Sequence, residues 1–143
     1  MKITNQELLY MNALGDIARI APRSCFLDSS DKIVFVVNSD DISKAIGKDG
    51  LNIKRLREKL GKNIEVVPYA KTAEDFSRKF LRNITISEIK QGSDENNNNI
   101  IILKFDNNER TKVRESFGKI KRLKELIKTS YGIHDVKIEY TGT

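Results

Sequence analysis

Residues 44–56 read Lys44-Ala45-Ile46-Gly47-Lys48-Asp49-Gly50-Leu51-Asn52-Ile53-Lys54-Arg55-Leu56, and the two glycines three apart govern how the chain is laid out. Glycine turns the backbone sharply and lets a ligand approach with no Cβ in the way. From about Leu51 a helix runs to Leu60, with Ile53, Leu56 and Leu60 on one face and Gly61 where a left-handed C-cap belongs. Its unpaired N-terminal amides and positive dipole end point into the gap between the glycines, a place that suits a phosphate. Alone, the tetrapeptide has two readings, that clamp or a tight inter-helix turn on a solvated basic face.

The flanks favour the clamp. Ile33-Val34-Phe35-Val36-Val37 is a continuous, largely β-branched run, the pattern of a buried strand. Asn38-Ser39-Asp40 supplies turn residues and an N-cap for a short helix from Asp41 to Ile46, and Ile64-Glu65-Val66-Val67 is a second strand closed by Pro68. Residues 44–62 hold seven basic side chains against two acidic ones. Lys48 is the side chain expected nearest a phosphate, with Lys54 and Arg55 flanking the bound strand further along. Asp49 is expected to cap the following helix or to meet Lys48.

The pattern then repeats. Ile53-Lys54-Arg55-Leu56 recurs as Ile120-Lys121-Arg122-Leu123, an offset of 67 residues, which also carries Ile33–Val37 onto Ile100–Lys104 and Asp40-Asp41 onto Asn107-Asn108. In the second copy Ile84-Thr85-Ile86 and Ile100–Phe105 read as strands joined by a loop from Gln91 to Asn99. Helices are expected near Glu109–Ser116 and Lys119–Lys128, and Val136–Tyr140 as a closing strand. Leu8, Leu9, Met11, Leu14, Ile17 and Ala18 predict a leading helix, and Ala73–Arg82 its counterpart. Each unit therefore runs helix, strand, strand, helix, helix, strand. The domain limits predicted are 1–70, with the intact glycine loop, and 71–143, with a degenerate one.

Composition narrows the functional classes. The 143 residues carry a formal charge of +6, pointing to an anionic partner. No apolar run approaches the roughly 18 residues of a membrane span, and the N-terminal residues do not read as a signal peptide. A single cysteine, Cys25, and a single histidine, His134, leave no intrachain disulfide, no thiolate metal cluster and no ready nucleophile–base pair. Cys25 beside Phe26 and Leu27 reads as core. No cofactor and no metal are expected, and the cysteine usage fits a reducing cytoplasm.

Residues 33–37, 45–56 and 65–67, in this element order, resemble the KH domain, whose GXXG loop clamps the backbone of about four single-stranded nucleotides. The helix-first order is similar to the prokaryotic, type II form. The resemblance covers Glu7 to Tyr140 and implies an α+β fold of two tandem type II KH domains, each a three-stranded sheet with helices on one face. The same segments resemble the KH pair of the NusA transcription factors, and most closely the short archaeal NusA-like proteins. The 143 residues leave no room for the polymerase-binding N-terminal domain or S1 domain of bacterial NusA. What the resemblance implies is a non-enzymatic, monomeric, cytoplasmic protein acting in transcription elongation, termination or antitermination. Single-stranded RNA is the implied ligand, held by Lys44, Ile46, Gly47, Lys48, Asp49, Gly50, Asn52, Lys54 and Arg55, and RNA polymerase a further partner. A KH-type factor in ribosome assembly or translation is the alternative. Outside RNA binding, a nuclease lacks a carboxylate cluster with metal spacing, and a protein-interaction scaffold would be insensitive to changes at Gly47 or Gly50.

The second copy departs from the family pattern. Gly47 and Gly50 map onto Arg114 and Phe117, with Gly118 one position late as a shifted remnant. Arg114 and Phe117 should not clamp a phosphodiester as the glycines do. Residues 111–129 nonetheless again hold seven basic side chains against two acidic ones. Arg114, Lys119, Lys121 and Arg122 are therefore read either as an extended electrostatic track or as the solvated face of a stabilising unit.

Overall fold

The structure is a computed structural model describing residues 3–142. The chain divides into two compact units between Tyr69 and Ala70; the outer domain limits expected at residues 1 and 143 lie outside the described residues.

The first unit begins with α1 (Asn5–Ala18), started by a reciprocal cap in which Thr4 Oγ1 accepts from the Glu7 amide while Glu7 Oε1 accepts from the Thr4 amide, both at 3.0 Å. Then come β1 (Ser24–Leu27), β2 (Ile33–Val37), α2 (Ile42–Ile46), α3 (Leu51–Leu60) and β3 (Ile64–Pro68). β2 is central, antiparallel to β1 and parallel to β3. Ile33, Val34, Phe35 and Val37 are all buried, so side chains on both faces of β2 are out of water and the almost unbroken apolar sequence is accommodated. Ile33, Phe35 and Val37 join Leu14 of α1, Ala45 of α2 and Leu56 of α3 in one core, each full-sized apolar side chain contributing about 1.5–3 kcal/mol by leaving water. Cys25 is buried in the same cluster. Gly61 ends α3 at φ +70°, and its amide donates to the Arg57 carbonyl at 2.8 Å.

The second unit repeats the order: α4 (Ala73–Phe80), β4 (Glu88–Ser93), β5 (Asn99–Asp106), α5 (Arg110–Glu115), α6 (Phe117–Tyr131) and β6 (Asp135–Thr141). β5 is central, antiparallel to β4 and parallel to β6. Ile101, Leu103, Phe105, Leu123 and Ile127 are fully buried in this unit.

Three local expectations are corrected. Ile84–Ile86 is not a strand: its backbone is spent elsewhere, the Thr85 amide on Glu109 Oε1 at 3.0 Å and the Ile86 carbonyl on the Arg78 guanidinium at 3.0 Å. The strand is β4, further on, with Gln91, Gly92 and Ser93 paired to Ile101, Ile100 and Asn99. The hairpin loop therefore shortens to residues 94–98, where Asp94 Oδ1 accepts from the Asn96 and Asn98 amides at 2.9 Å. Before α2, neither Asn38 nor Asp41 caps through its side chain. Ser39–Asp41 forms a single 3₁₀ turn in which the Asp41 amide donates to the Asn38 carbonyl at 2.8 Å. No helix among the described residues is long and apolar enough to cross a membrane.

Candidate nucleic-acid interface

Between α2 and α3 the backbone takes positive φ three times, at Gly47 (+80°), Asp49 (+55°) and Gly50 (+74°). Gly47 is demanded twice over. Its φ of 80° with ψ of 167° is a region essentially reserved for glycine, and a Cβ there would stand 2.8 Å from Asn52 Cγ and 2.9 Å from the Asn52 backbone nitrogen. Asn52 in turn donates from Nδ2 to the Lys44 carbonyl at 3.0 Å, tying α3 back to α2 across the loop. Gly50 differs: nothing lies within 4 Å of where its Cβ would be. Its lack of a side chain keeps open the space in front of α3.

Gly50 is the N-cap of α3 and makes no side-chain cap bond, so the positive end of that helix is not quenched by a carboxylate. The expected cap from Asp49 is corrected here: Asp49 stands exposed in the left-handed conformation, which Asp tolerates better than most residues, and among the described residues it forms no ion pair with Lys48. Lys44, Lys48, Lys54 and Arg55 are all exposed, and among the described residues none is paired with a carboxylate. Lys54 and Arg55 are three and four residues past Leu51, so they flank it on the solvent face of α3. Ile46 (37% exposed) and Leu51 (44%) put apolar surface on either side of the loop. Leu51 was missed by the sequence reading, although an apolar residue off the Ile53–Leu56–Leu60 face was its signal.

The corresponding junction in the second unit is built otherwise. Only Ser116 separates α5 from α6, at φ −101°, and its amide donates to the Lys112 and Val113 carbonyls at 3.0 and 3.1 Å. Helical bonding therefore runs through the junction, and no positive φ occurs there. Gly118 lies inside α6 and is not a displaced loop glycine. The four basic residues expected to form a track are not equivalent. Arg122 is held by Glu125 at 3.2 Å, and the Lys119 ammonium sits over the Phe80 ring at 5.5 Å. Arg114 and Lys121 are exposed and carry no partner among the described residues.

Two three-stranded mixed sheets, each fed by the order helix, strand, strand, helix, helix, strand, with a glycine loop between the paired helices of the first, define tandem type II KH domains. Comparison with known proteins takes the assignment further. The family model described as NusA-like second KH domain matches residues 16–74, the first unit from the end of α1 into the start of α4. The chain is 33% identical over 84 residues to the probable transcription termination protein NusA of Methanocaldococcus jannaschii, a match covering 59% of this chain and 43% of that protein. It is 31% identical over 91 residues to the protein of the same description from Halococcus morrhuae, covering 60% of this chain and 65% of that one. The matches thus span less than two thirds of these relatives' length. Among solved structures, the crystal structure of APE1850 superposes with a TM-score of 0.81 at 27% identity, over 96% of this chain and all of that one. Residues 16–74 therefore match a NusA-like KH domain, and the chain is similar to archaeal proteins described as probable transcription termination proteins.

Proposed function

We propose that this protein binds single-stranded RNA through the Gly47–Gly50 loop and acts in transcription elongation, termination or antitermination, in the cytoplasm and alongside RNA polymerase, without catalysing a reaction. The observation that carries the reading is the open front of α3: an uncapped helix N-terminus, a glycine with nothing near its missing Cβ, and four unpaired cations around it. Such a place takes a phosphate from a flexible backbone. Ile46 and Leu51 offer apolar rests for unstacked bases, which a duplex would keep inside its stack. The role in transcription is supported by the relatives, described as probable transcription termination proteins.

Lys44, Lys48, Lys54 and Arg55 contact phosphates in this reading, Gly47 and Gly50 give the backbone room, and Asn52 fixes the loop. Asp49, exposed in the left-handed conformation, shapes the loop between the two glycines. Fluorescence anisotropy with matched single-stranded and duplex RNAs across a salt series tests it. Preference for the single strand, weakening as salt rises, is the expected result. Equal affinity for the duplex, or none for either, would overturn it.

A further inference from the structure

The second unit has lost the glycines but not the exposed apolar surface at the same place in the fold. In the first unit that surface is Ile46 and Leu51. Their counterparts at the 67-residue offset are Val113, which is buried, and Gly118, which has no side chain. What replaces them is Phe117, in the place of Gly50 and 67% exposed, more than any other large apolar side chain among the described residues. Its ring stacks on no other ring and lies under no cation there. A Cβ at Gly118 would meet nothing within 4 Å, so the next position leaves the space beside the ring open.

The charges around it are those left unpaired. Lys121 is four residues on, on the same side of α6, and Arg114 three residues back, in the place of Gly47. The cations that have intramolecular partners are others: Lys112 with Glu109 at 3.6 Å, Arg122 with Glu125, Lys124 with Asp135 at 2.6 Å, and Lys119 with the Phe80 ring. A largely exposed aromatic ring with unpartnered cations three residues before it and four residues after it matches the chemistry of a nucleotide, a flat base on the ring and phosphates against the cations. A hydrophobic protein partner would want a wider apolar patch than one ring in a basic field.

We propose that the second unit holds a single-stranded RNA by base stacking on Phe117, with Arg114 and Lys121 on the flanking phosphates, in place of a phosphate clamp. This rests on the RNA-binding reading of the chain. The two units then differ in their main grip, a glycine loop on the backbone in the first and an aromatic ring under a base in the second.

The chain contains no tryptophan, so Phe117→Trp puts a single fluorophore on the platform. Full-length F117W is titrated with an unstructured RNA of about 20 nucleotides, room for two KH footprints of about four each, and separately with inorganic polyphosphate. Saturable quenching by RNA and none by polyphosphate is expected, together with wild-type affinity for F117W and an affinity loss on the order of tenfold for Phe117→Ala. Unchanged affinity in F117A with an unquenched indole in F117W, while Lys48→Asp still weakens binding, would overturn the stacking site and leave the RNA reading intact. No affinity of the wild-type chain for RNA would overturn both.

Discussion

The Asn52 side chain occupies the space a Cβ on Gly47 would need, with its Cγ 2.8 Å from that position, while its amide reaches back 3.0 Å to the Lys44 carbonyl. The loop is thereby fixed from inside, by packing, before any ligand arrives. Gly47→Ala is expected to lower stability by about 1–3 kcal/mol from backbone conformation alone, with the steric contact adding to it. Adding Asn52→Ala should recover at most the side-chain part of the steric share, because the Asn52 backbone nitrogen stays 2.9 Å from the new Cβ. Urea unfolding midpoints of the two variants check this, and a G47A midpoint equal to wild type would contradict it.

Gly50 separates folding from binding. Nothing crowds its missing Cβ, and its φ of +74° is one that asparagine adopts at small cost. Gly50→Asn should therefore unfold at nearly the wild-type urea concentration yet bind single-stranded RNA several-fold more weakly, because the new side chain stands where the phosphate approaches. Anisotropy and unfolding on the same preparation measure both.

In the second unit, Lys121 and Arg122 are neighbours with different prospects. Arg122 is half-buried and engaged with Glu125, whereas Lys121 is exposed and unpartnered. Lys121→Ala should lower the slope of log affinity against log salt by about one, and Arg122→Ala by clearly less. Equal slopes for the two variants would remove the distinction.

Stability should fall in acid in a way that can be traced to named groups. The Thr85 amide, then the nearby Lys112 ammonium, hold the Glu109 carboxyl below its usual 4.5. The Asn98 amide does the same for Asp94, and Lys124 for Asp135. A carboxylate depressed in the native state binds its proton more readily in the unfolded chain, so its stabilisation is present above the unfolded value and is lost as pH falls through the native one. Urea midpoints should drop as pH falls below 4.5. Glu109→Gln, which keeps an acceptor for Thr85 but cannot titrate, should show a shallower drop; a parallel profile would contradict the assignment.

Cys25 should be inert. It is buried, its Sγ donates to the Glu7 carbonyl at 3.4 Å, and burial, with the Glu7 charge second, pushes the thiol up to about 11. Thiol labelling of the native protein at pH 8 should be slow and limited by opening of the first unit, and become fast in denaturant.

How far the sequence could be read follows from where pairing information is local. β2 and α3 were legible because a five-residue apolar run and the Ile53–Leu56–Leu60 spacing each declare their own period, and Gly61 marks the end of the helix. β4 was not legible: Glu-Ile-Lys-Gln-Gly-Ser carries no apolar alternation, and its register comes from the hydrogen bonds that β5 offers. Ile84-Thr85-Ile86 misled for the converse reason, having strand-like side chains whose backbone groups are taken by Glu109 and Arg78. The cap expected from Asn38-Ser39-Asp40 failed because a 3₁₀ turn uses the Asn38 carbonyl for the Asp41 amide, and the cap expected from Asp49 failed because the left-handed turn makes Gly50 the N-cap residue and leaves the front of α3 open. At the site, the glycine spacing and flanking cations were visible, but the dependence of Gly47 on Asn52, and the sorting of the second unit's cations into paired and free, exist only in three dimensions.

The central claim, that the first unit's loop holds the RNA backbone, is tested most directly by anisotropy of wild type and Lys48→Asp against single-stranded RNA at two salt concentrations. Lys48 is exposed and without a partner among the described residues, so its replacement leaves the core untouched, as circular dichroism would verify. The account predicts an affinity loss on the order of tenfold or more, and a weaker salt dependence in the variant. Equal binding by the two folded proteins at both salt concentrations would contradict it.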